Sequence, residues 1–411
     1  MLLALRFAVA SVVLLVSPLL LAPASAQVAP VGSLTLGAAV ERAMAANPTI
    51  AAARLRGPIN LANLAVARER LNPEGSIELE KETPKEAYGL AVPLELGGKR
   101  AKRIAVGEAT VRAGEAELGA TVAQVRNDVR RAYFGQLLAE ARLMLLGEQR
   151  DLSMRARDAA QARFDAGSSP RLEVMQAQLA LAAAENEAAA ALGIAAAARA
   201  ALNALLAQPL DTPIGLSTNV DTGEPLGTPA ALMLAQTAST ELLSLDRQID
   251  AQRARVALAD ALRVPDVTPT FTLTHRSEPE FNYGWRAGAA ITLPLFTTHR
   301  AGVLVEQTTL DQLIAQRQAT LLRVQGDVTA ASQRAQAQRQ LFIRYRDEII
   351  PQAQQVEQLA QDAYQLGQTG IAALLQALQA TRDVRLRSLD AIDQFQTALT
   401  DLERAIGAPL P

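Results

Sequence analysis

The chain has 411 residues, of which 49% are hydrophobic but only 3% are aromatic, and it contains no cysteine. Its 40 basic and 42 acidic residues nearly cancel, and no basic patch stands out, which argues against a nucleic-acid partner. The lack of cysteine excludes disulfides, thiolate metal sites and thiol nucleophiles, so packing or assembly must hold the fold together.

The N-terminus has the pattern of a secretory signal peptide. A positive charge at Arg6 precedes an apolar run from Phe7 to Leu21, and Ala24-Ser25-Ala26 forms a small-residue cleavage site. The run is short and broken by Pro18, which favours export over a transmembrane helix. Because Gln27 and not cysteine follows the site, we expect no lipid anchor on the mature N-terminus. No other apolar run approaches the roughly 20 residues of a spanning helix, so any membrane crossing would use strands.

Two regions alternate apolar and polar residues with the period of two that indicates β-strands. They cover about residues 75–96 and about residues 266–296, and each is long enough for a pair of strands. Tilted membrane-spanning strands need about 9–11 residues, which both regions provide. A half-buried sheet of a soluble protein is the alternative. Aromatic residues lie near the strand ends, where an aromatic girdle would form: Tyr88, Phe281, Tyr283 and Trp285.

Long windows without proline follow each strand region and are filled with helix-forming residues. If residues 103–164 form one helix, it would extend about 90 Å at 1.5 Å per residue, which implies coiled-coil packing. Pro351 is expected to kink or restart its helix, because it lacks a backbone donor. A heptad seam is predicted in the second copy at Ile349, Val356, Leu359, Ala363 and Leu366. The matching places in the first copy are Ala156, Ala159 and Ala166, with Arg163 interrupting them.

Two glycines are predicted to end long helices, which then restart at once, so that each copy forms a helical hairpin. The hairpins cover about residues 101–208 and 300–408. An ordinary surface turn in a helical bundle fits either hairpin alone, but the helix lengths argue against it. The predicted turns are Gly167-Ser168-Ser169-Pro170 and Gly367-Gln368-Thr369-Gly370.

The two halves of the chain repeat each other at an offset of about 200 residues. The strand ends also correspond, since Pro93 and Pro294 begin similar segments, and Pro73 matches Pro265 further upstream. We therefore predict a signal peptide at 1–26, a first repeat at 27–225 and a second repeat at 226–411. The matched positions at the turns are Phe164 and Tyr364, Gly167 and Gly367, Gln176 and Gln376, and Ala177 and Ala377.

The number of strands determines how such a chain could cross a membrane. Two strand pairs give four strands, which cannot close a barrel, and an open edge would leave backbone groups unpaired in hydrocarbon. Several chains would therefore share one barrel, in a cyclic arrangement that also makes a ring of long helices. The predicted fold class is a mostly helical α+β membrane protein with coiled-coil hairpins, four membrane strands per protomer and an internal two-fold repeat.

These features together resemble the TolC-like outer-membrane factors of tripartite efflux systems. The resemblance covers essentially the whole mature chain and includes the opening helix from Leu34 to Pro48, the duplicated strand pair and the two turns. The segment Pro93-Leu94-Glu95-Leu96-Gly97-Gly98-Lys99-Arg100 is similar to the branch that serves cobalt–zinc–cadmium heavy-metal pumps.

The resemblance implies a homotrimer in the outer membrane of a Gram-negative bacterium. Its barrel would contact lipid, and its helical tunnel would extend into the periplasm towards an adaptor protein and an inner-membrane, proton-driven transporter of the resistance–nodulation–division (RND) type. The stretch 209–228 and the C-terminal end would form a belt around the tunnel. The barrel-to-tunnel elbows would include Pro93, Gly97, Gly98 and Pro294. The gate and adaptor-docking turns would include Gly167, Ser168, Ser169, Pro170, Glu173, Gln176, Gly367, Gln368, Thr369 and Gln376.

Acidic residues just past the turns ring the mouth in that family, and Glu173 keeps this feature in the first turn. Three copies of Glu173 would converge, repel one another or bind cations. The alternative is a charge placed favourably on the dipole at the start of its helix. The second turn departs from the family pattern, since Ala373 and Gln376 stand where acidic residues are common.

The sequence contains no catalytic constellation, so we predict neither enzyme activity nor a cofactor nor a metal site. The two histidines, His275 and His299, are expected at a strand end and at a strand-to-helix junction. Gly97-Gly98-Lys99-Arg100 is interpreted as a flexible elbow with basic residues at the membrane interface, not as a phosphate cradle. A passive exit duct for heavy-metal cations is the favoured function. The alternatives are a duct for drugs or for type I protein secretion, and a periplasmic coiled-coil adaptor.

Overall fold

The computed structural model describes residues 33–217, 223–277 and 281–410. The predicted signal peptide lies outside the described residues. The strands are β1 Glu74–Leu79, β2 Glu86–Ala91, β3 Val267–Ser277 and β4 Phe281–Ile291. The helices are α1 Leu36–Ala46, α2 Pro48–Arg54, α3 Arg56–Arg68, α4 Lys99–Asp165, α5 Arg171–Leu205, α6 Thr228–Ala238, α7 Thr240–Ala261, α8 Arg300–Arg344, α9 Ile350–Gln365 and α10 Ile371–Ile406, with a π-helical segment, Tyr345–Ile349, between α8 and α9.

Two long helical hairpins make up most of the described chain. Helix α4 has 67 residues, which corresponds to about 100 Å, and it turns back into α5 at the first predicted turn. Helices α8 and α9 turn back into α10 at the second. The predicted helix over residues 103–164 is therefore confirmed. Helix α7 packs against both α4 and α8, and α10 packs against α4, so the hairpins form one continuous bundle.

The four described strands form one antiparallel sheet in the order β1-β2-β3-β4. One row across it joins apolar residues of all four strands: Ile77 pairs with Tyr88, Tyr88 with Leu273, and Leu273 with Trp285. The neighbouring row, on the opposite face, joins Ser76, Gly89, Thr272 and Arg286. The apolar face is open to the surroundings, since Ile77 is 72% exposed and Trp285 is 73% exposed.

The strands are shorter than the sequence pattern predicted. Strand β2 ends at Ala91 and strand β4 at Ile291, although the alternation of residues continues for several positions. Pro93 interrupts the ladder because proline has no backbone donor. Beyond it, one isolated bridge pairs Leu94 with Val267. The register between β2 and β3 thus continues to the start of the elbow.

The heptad seam predicted in α9 is not a contact within the chain. Val356 is 52% exposed, Leu359 is 61% exposed and Leu366 is 72% exposed, so these side chains face outward. The π-helical segment Tyr345–Ile349 adds a residue to one turn and rotates the following helix relative to α8. Pro351 stands at the start of α9 directly after this segment, as its missing donor predicts.

Helix α5 corrects the prediction that no second segment resembles a membrane span. It contains an 18-residue window of mean hydropathy 1.5, so it could cross a membrane by length and composition. Alanine accounts for much of this value, and alanines at intervals of seven are buried: Ala177, Ala184 and Ala191. The helix packs along α4 as the second arm of a hairpin. The buried alanines therefore form a close helix–helix contact, and this contact explains part of the apolar composition of α5.

The middle of the bundle carries two apolar cores that anchor the segments beside the helices. Tyr133 of α4 is 1% exposed, and its hydroxyl donates a hydrogen bond to the Leu34 carbonyl at 2.8 Å. Leu34 also forms a parallel bridge with Leu216. In the second half, Leu226 and Leu410 pack against the core of α6, α8 and α10. These contacts lie where the sequence predicted a belt, although residues 218–222 fall outside the described part.

Candidate functional site: the hairpin tips and the strand-to-helix elbows

The two hairpin turns have the same backbone geometry. Gly167 has a φ of 69° and Gly367 has a φ of 70°, both in the left-handed region that disfavours other residues. The amide of Ser168 donates to the Arg163 carbonyl at 2.9 Å, and that of Gln368 donates to the Ala363 carbonyl at 2.9 Å. This is the Schellman pattern that satisfies the last carbonyls of a helix. The structure therefore brings the predicted turn residues together at one end of the bundle.

A buried polar cluster joins the two tips. Tyr364 is 2% exposed, and the guanidinium of Arg163 lies over its ring at 4.9 Å from the centroid. Burial raises the pKa of the Tyr364 hydroxyl, and the nearby charge of Glu173 raises it further against the opposing effect of Arg163. Four buried oxygens at the tips have no hydrogen-bond partner in the described chain: Ser169 Oγ, Glu173 Oε2, Tyr364 Oη and Thr369 Oγ1.

Glu173 lies between the tips of one protomer. It stands in the first turn of α5, as its sequence position predicted. Its Oε1 is also 3.6 Å from the point that a Cβ of Gly370 would occupy, at the start of α10. A carboxylate there is favourable for both helix dipoles. By contrast, Gln176 and Gln376 are exposed on the helix surfaces and lie outside the buried cluster.

The first elbow, between β2 and α4, turns at two left-handed glycines. Gly97 has a φ of 68° and Gly98 has a φ of 70°. A methyl group at Gly97 would lie only 2.8 Å from Val264 Cβ, so glycine is required both by conformation and by close packing. Val264 belongs to the junction between α7 and β3, so the elbow is packed against the second half of the chain.

The basic residues of this elbow form ion pairs and hydrogen bonds within the protomer. Lys99 is 6% exposed, and its Nζ lies 2.7 Å from Asp266 Oδ2. The Leu96 amide donates to the other oxygen of Asp266 at 3.0 Å. Arg100 donates to the Arg68 carbonyl at 2.6 Å, at the C-terminus of α3. These bonds hold the end of β2, the start of α4, the end of α3 and the start of β3 together.

Arg103 extends the same arrangement by one helical turn. Its guanidinium forms an ion pair with Glu95 and donates to the carbonyls of Ala67 and Glu69 at 3.2 and 3.0 Å. Carbonyls at the end of α3 have no partner within that helix, so they readily accept these bonds. Sequence reasoning missed these contacts because their partners lie on other elements.

The second elbow, between β4 and α8, also enters its helix through a left-handed residue, but it lacks these bonds. His299 has a φ of 55° and stands immediately before α8. Phe296 is 100% exposed, and Arg300 forms no ion pair with the described residues. Pro93 and Pro294 occupy matching places after β2 and β4. All four predicted elbow residues therefore lie where strands pass into helices.

A buried ion pair in the middle of the bundle was not predicted. Arg130 of α4 lies 3.0 Å from Glu403 of α10, and their side chains are 9% and 5% exposed. Arg130 Nη2 also donates to Gln396 Oε1 at 3.4 Å. The pair is separated by 273 residues in sequence, so no local pattern could indicate it.

The histidines occupy the predicted kinds of position. His275 Nδ1 lies 2.9 Å from Glu86 Oε2, near the end of β3, and its ring stacks on Tyr283 with centroids 4.6 Å apart. His299 stands at the start of α8. Among the residues that the structure describes, no group of three or more His, Cys, Asp or Glu side chains could hold a metal ion.

The family model described as "Outer membrane efflux protein" matches residues 39–208 and 232–408 of this chain. The chain belongs to the outer membrane efflux protein family. It is accordingly an outer-membrane protein that acts in efflux. This family and its fold are those of channel proteins, not of enzymes. The resemblance drawn from the duplicated strand pair and turns is thereby confirmed.

Individual proteins of known name are also similar to this chain in sequence or in structure. The cobalt-zinc-cadmium resistance protein CzcC of Cupriavidus metallidurans is 26% identical over 92% of this chain and 90% of its own length. The nickel-cobalt-cadmium resistance protein NccC of Alcaligenes xylosoxydans xylosoxydans is 28% identical over 79% of this chain and 74% of its own length. The solved structure of CusC has a TM-score of 0.76 at 18% identity, covering 91% of this chain and 92% of that one. At that identity the likeness concerns the fold alone.

Proposed function

We propose that this protein is the exit duct of a tripartite efflux pump and that its cargo is heavy-metal cations. Three copies would assemble in the outer membrane, with their helices extending into the periplasm. A periplasmic adaptor and an inner-membrane RND transporter would deliver the cargo. The protein itself would act as a passive conduit, without a cofactor or a resident metal ion.

The β-sheet supports the proposal that several copies assemble in the membrane. Its apolar face is exposed along all four strands, as lipid contact requires, and its other face carries Ser76, Thr272 and Arg286. Strands β1 and β4 are the edge strands of the described sheet, and the outer edge of each has no partner strand within it. Unpaired edges are not tolerated in hydrocarbon, so neighbouring copies must pair with them. Three copies of four strands would supply a closed wall of twelve.

The hairpin tips support the proposed contact with the periplasmic adaptor. They lie at the end of the bundle opposite the sheet, where a duct that enters the outer membrane meets its periplasmic partners. The exposed turn residues Gly167, Ser168, Gly367 and Gln368 would contact the adaptor, and Glu173 would line or support the gate.

The chain would be organised as two repeats, at 27–225 and 226–411. The two separate segments that match the family model, 39–208 and 232–408, support this division. So do the matching left-handed turns at Gly167 and Gly367 and the matching prolines after β2 and β4.

The metal cargo rests on the resistance proteins CzcC and NccC, whose names state cobalt, zinc, cadmium and nickel. We expect a deletion strain to become sensitive to these metal salts while its tolerance of a panel of antibiotics stays unchanged. The growth-inhibiting concentration of each compound measures this directly, and a plasmid copy of the gene should restore tolerance. Unchanged metal tolerance with lost antibiotic tolerance would contradict the metal assignment and favour a drug duct. A defect only in a secreted protein would favour type I secretion.

A further inference from the structure

The seam between β2 and β3 inside one protomer ends in a specific lock. After the bridge between Leu94 and Val267, the carboxylate of Asp266 accepts the Leu96 amide at 3.0 Å and the Lys99 ammonium at 2.7 Å. An acidic residue directly before one strand thus binds a basic residue at the first position of the helix that follows the neighbouring strand. The base of this lock is buried, since Lys99 is 6% exposed, whereas the side chain of Asp266 is 39% exposed.

The chain carries both halves of this lock a second time. Lys99 begins α4 after the left-handed Gly98, and Arg300 begins α8 after the left-handed His299, so the two bases hold the same structural position. Pro265-Asp266 directly precedes β3, and Pro73-Glu74 stands at the start of β1. The order of charges is therefore similar at both places: an acid follows a proline at the beginning of the strand, and a base stands at the helix start.

The second set of residues cannot meet within one protomer, because β1 and β4 are the two outer strands of the described sheet. Glu74 and Arg300 are both exposed, and neither forms an ion pair with the described residues. Apolar side chains beside them are also open: Leu71 is 50% exposed, Leu293 is 62% exposed and Phe296 is 100% exposed. At the first elbow the equivalent surface is covered by the junction between α7 and β3.

We propose that Arg300 of one protomer binds Glu74 of the next copy and closes the seam between protomers as Lys99 and Asp266 close the seam within each. The junction between α3 and β1 of that copy, including Leu71, covers the exposed second elbow. The inference rests on the proposed assembly of a shared barrel, and it adds the residues and the register of the contact. Pairing β4 with β1 in this register removes both edges of the sheet.

The absence of native cysteine permits a direct test in the full-length protein in outer membranes. The variant Glu74→Cys/Arg300→Cys is treated with a short bis-maleimide, because ion pairs with long side chains commonly place Cα atoms beyond disulfide reach. We expect covalent dimers and trimers on a denaturing gel. The matched variant Lys99→Cys/Asp266→Cys should react within one chain and stay monomeric under the same conditions. Each single-cysteine variant should give no ladder.

Charge exchange provides a second readout that does not depend on cysteine. Arg300→Glu and Glu74→Arg are each expected to reduce the fraction of trimer that survives in mild detergent by at least severalfold, and the double exchange should restore it. Trimers without cross-links, and single variants that assemble normally, would overturn the pairing while leaving the shared barrel intact. A wild-type protein that is monomeric in the membrane would instead contradict the proposed assembly.

Discussion

Replacing Arg130 with methionine is expected to destabilise the folded protein by about 3–5 kcal/mol, because it leaves the carboxylate of Glu403 buried without its charged partner. The Leu410 amide, which donates to Glu403 Oε1 at 3.1 Å, does not neutralise that charge. The two side chains are 9% and 5% exposed, so water cannot replace the lost interaction without opening the bundle. The pair joins α4 to α10 in the middle of the helical bundle, where both hairpins meet. The midpoint of urea unfolding of the detergent-solubilised protein, followed by helical circular dichroism, measures the effect.

Two further variants separate the buried charge from general damage. Arg130→Met combined with Glu403→Met removes both charges and should recover most of the lost stability, because well-packed apolar residues often replace buried pairs without cost. Arg131→Met breaks the neighbouring pair with Asp401, in which the arginine is 52% exposed, and should cost less than about 1 kcal/mol. A single Arg130→Met variant as stable as the wild type would contradict the claim that the buried charge of Glu403 depends on Arg130.

Gly167→Pro and Gly367→Pro are each expected to abolish export while leaving assembly in the outer membrane intact. Both glycines have φ near 70°, whereas the proline ring fixes φ at about −65°, so the helix end and the turn must rearrange. No atom lies within 4 Å of a Cβ built at either glycine, so the defect comes from the backbone and not from a clash. The sheet lies at the other end of the bundle and should be unaffected.

The matched controls are Gly167→Asn and Gly367→Asn, because asparagine accepts the left-handed conformation more readily than other residues. These variants should keep most of their metal tolerance in a complemented deletion strain. The recovery of detergent-resistant trimer from outer membranes reports on assembly in parallel. Proline variants that export normally would show that the turns are not the docking site. Proline variants that fail to assemble would show that the tips are needed for folding.

Local signals predicted the hairpins and the order of elements well. A glycine followed closely by a helix restart determines a turn through its own backbone preference, and the long windows without proline determine the helices between the turns. Strand pairs were likewise visible from their alternation. Their ends were not, because the pattern of side chains continues past Pro93 although the hydrogen-bonded ladder does not.

Contacts between distant segments could not be predicted from the sequence. The pairs of Lys99 with Asp266 and of Arg130 with Glu403 join residues that are far apart in sequence. From the sequence alone, Lys99 and Arg130 could equally have faced solvent. The π-helical segment before Pro351 also has no clear sequence signature, yet it decides which face of α9 points outward. The position of Glu173 against Gly370 depends on how the two tips meet.

The central claim is that one chain contributes only part of the membrane wall. Native mass spectrometry of the protein extracted from outer membranes tests it most directly, since it counts the chains that stay together without assuming a shape. We expect one species with three times the mass of the mature chain, which separates into single chains after unfolding in hot detergent. A folded, membrane-inserted species with the mass of a single chain would contradict the account.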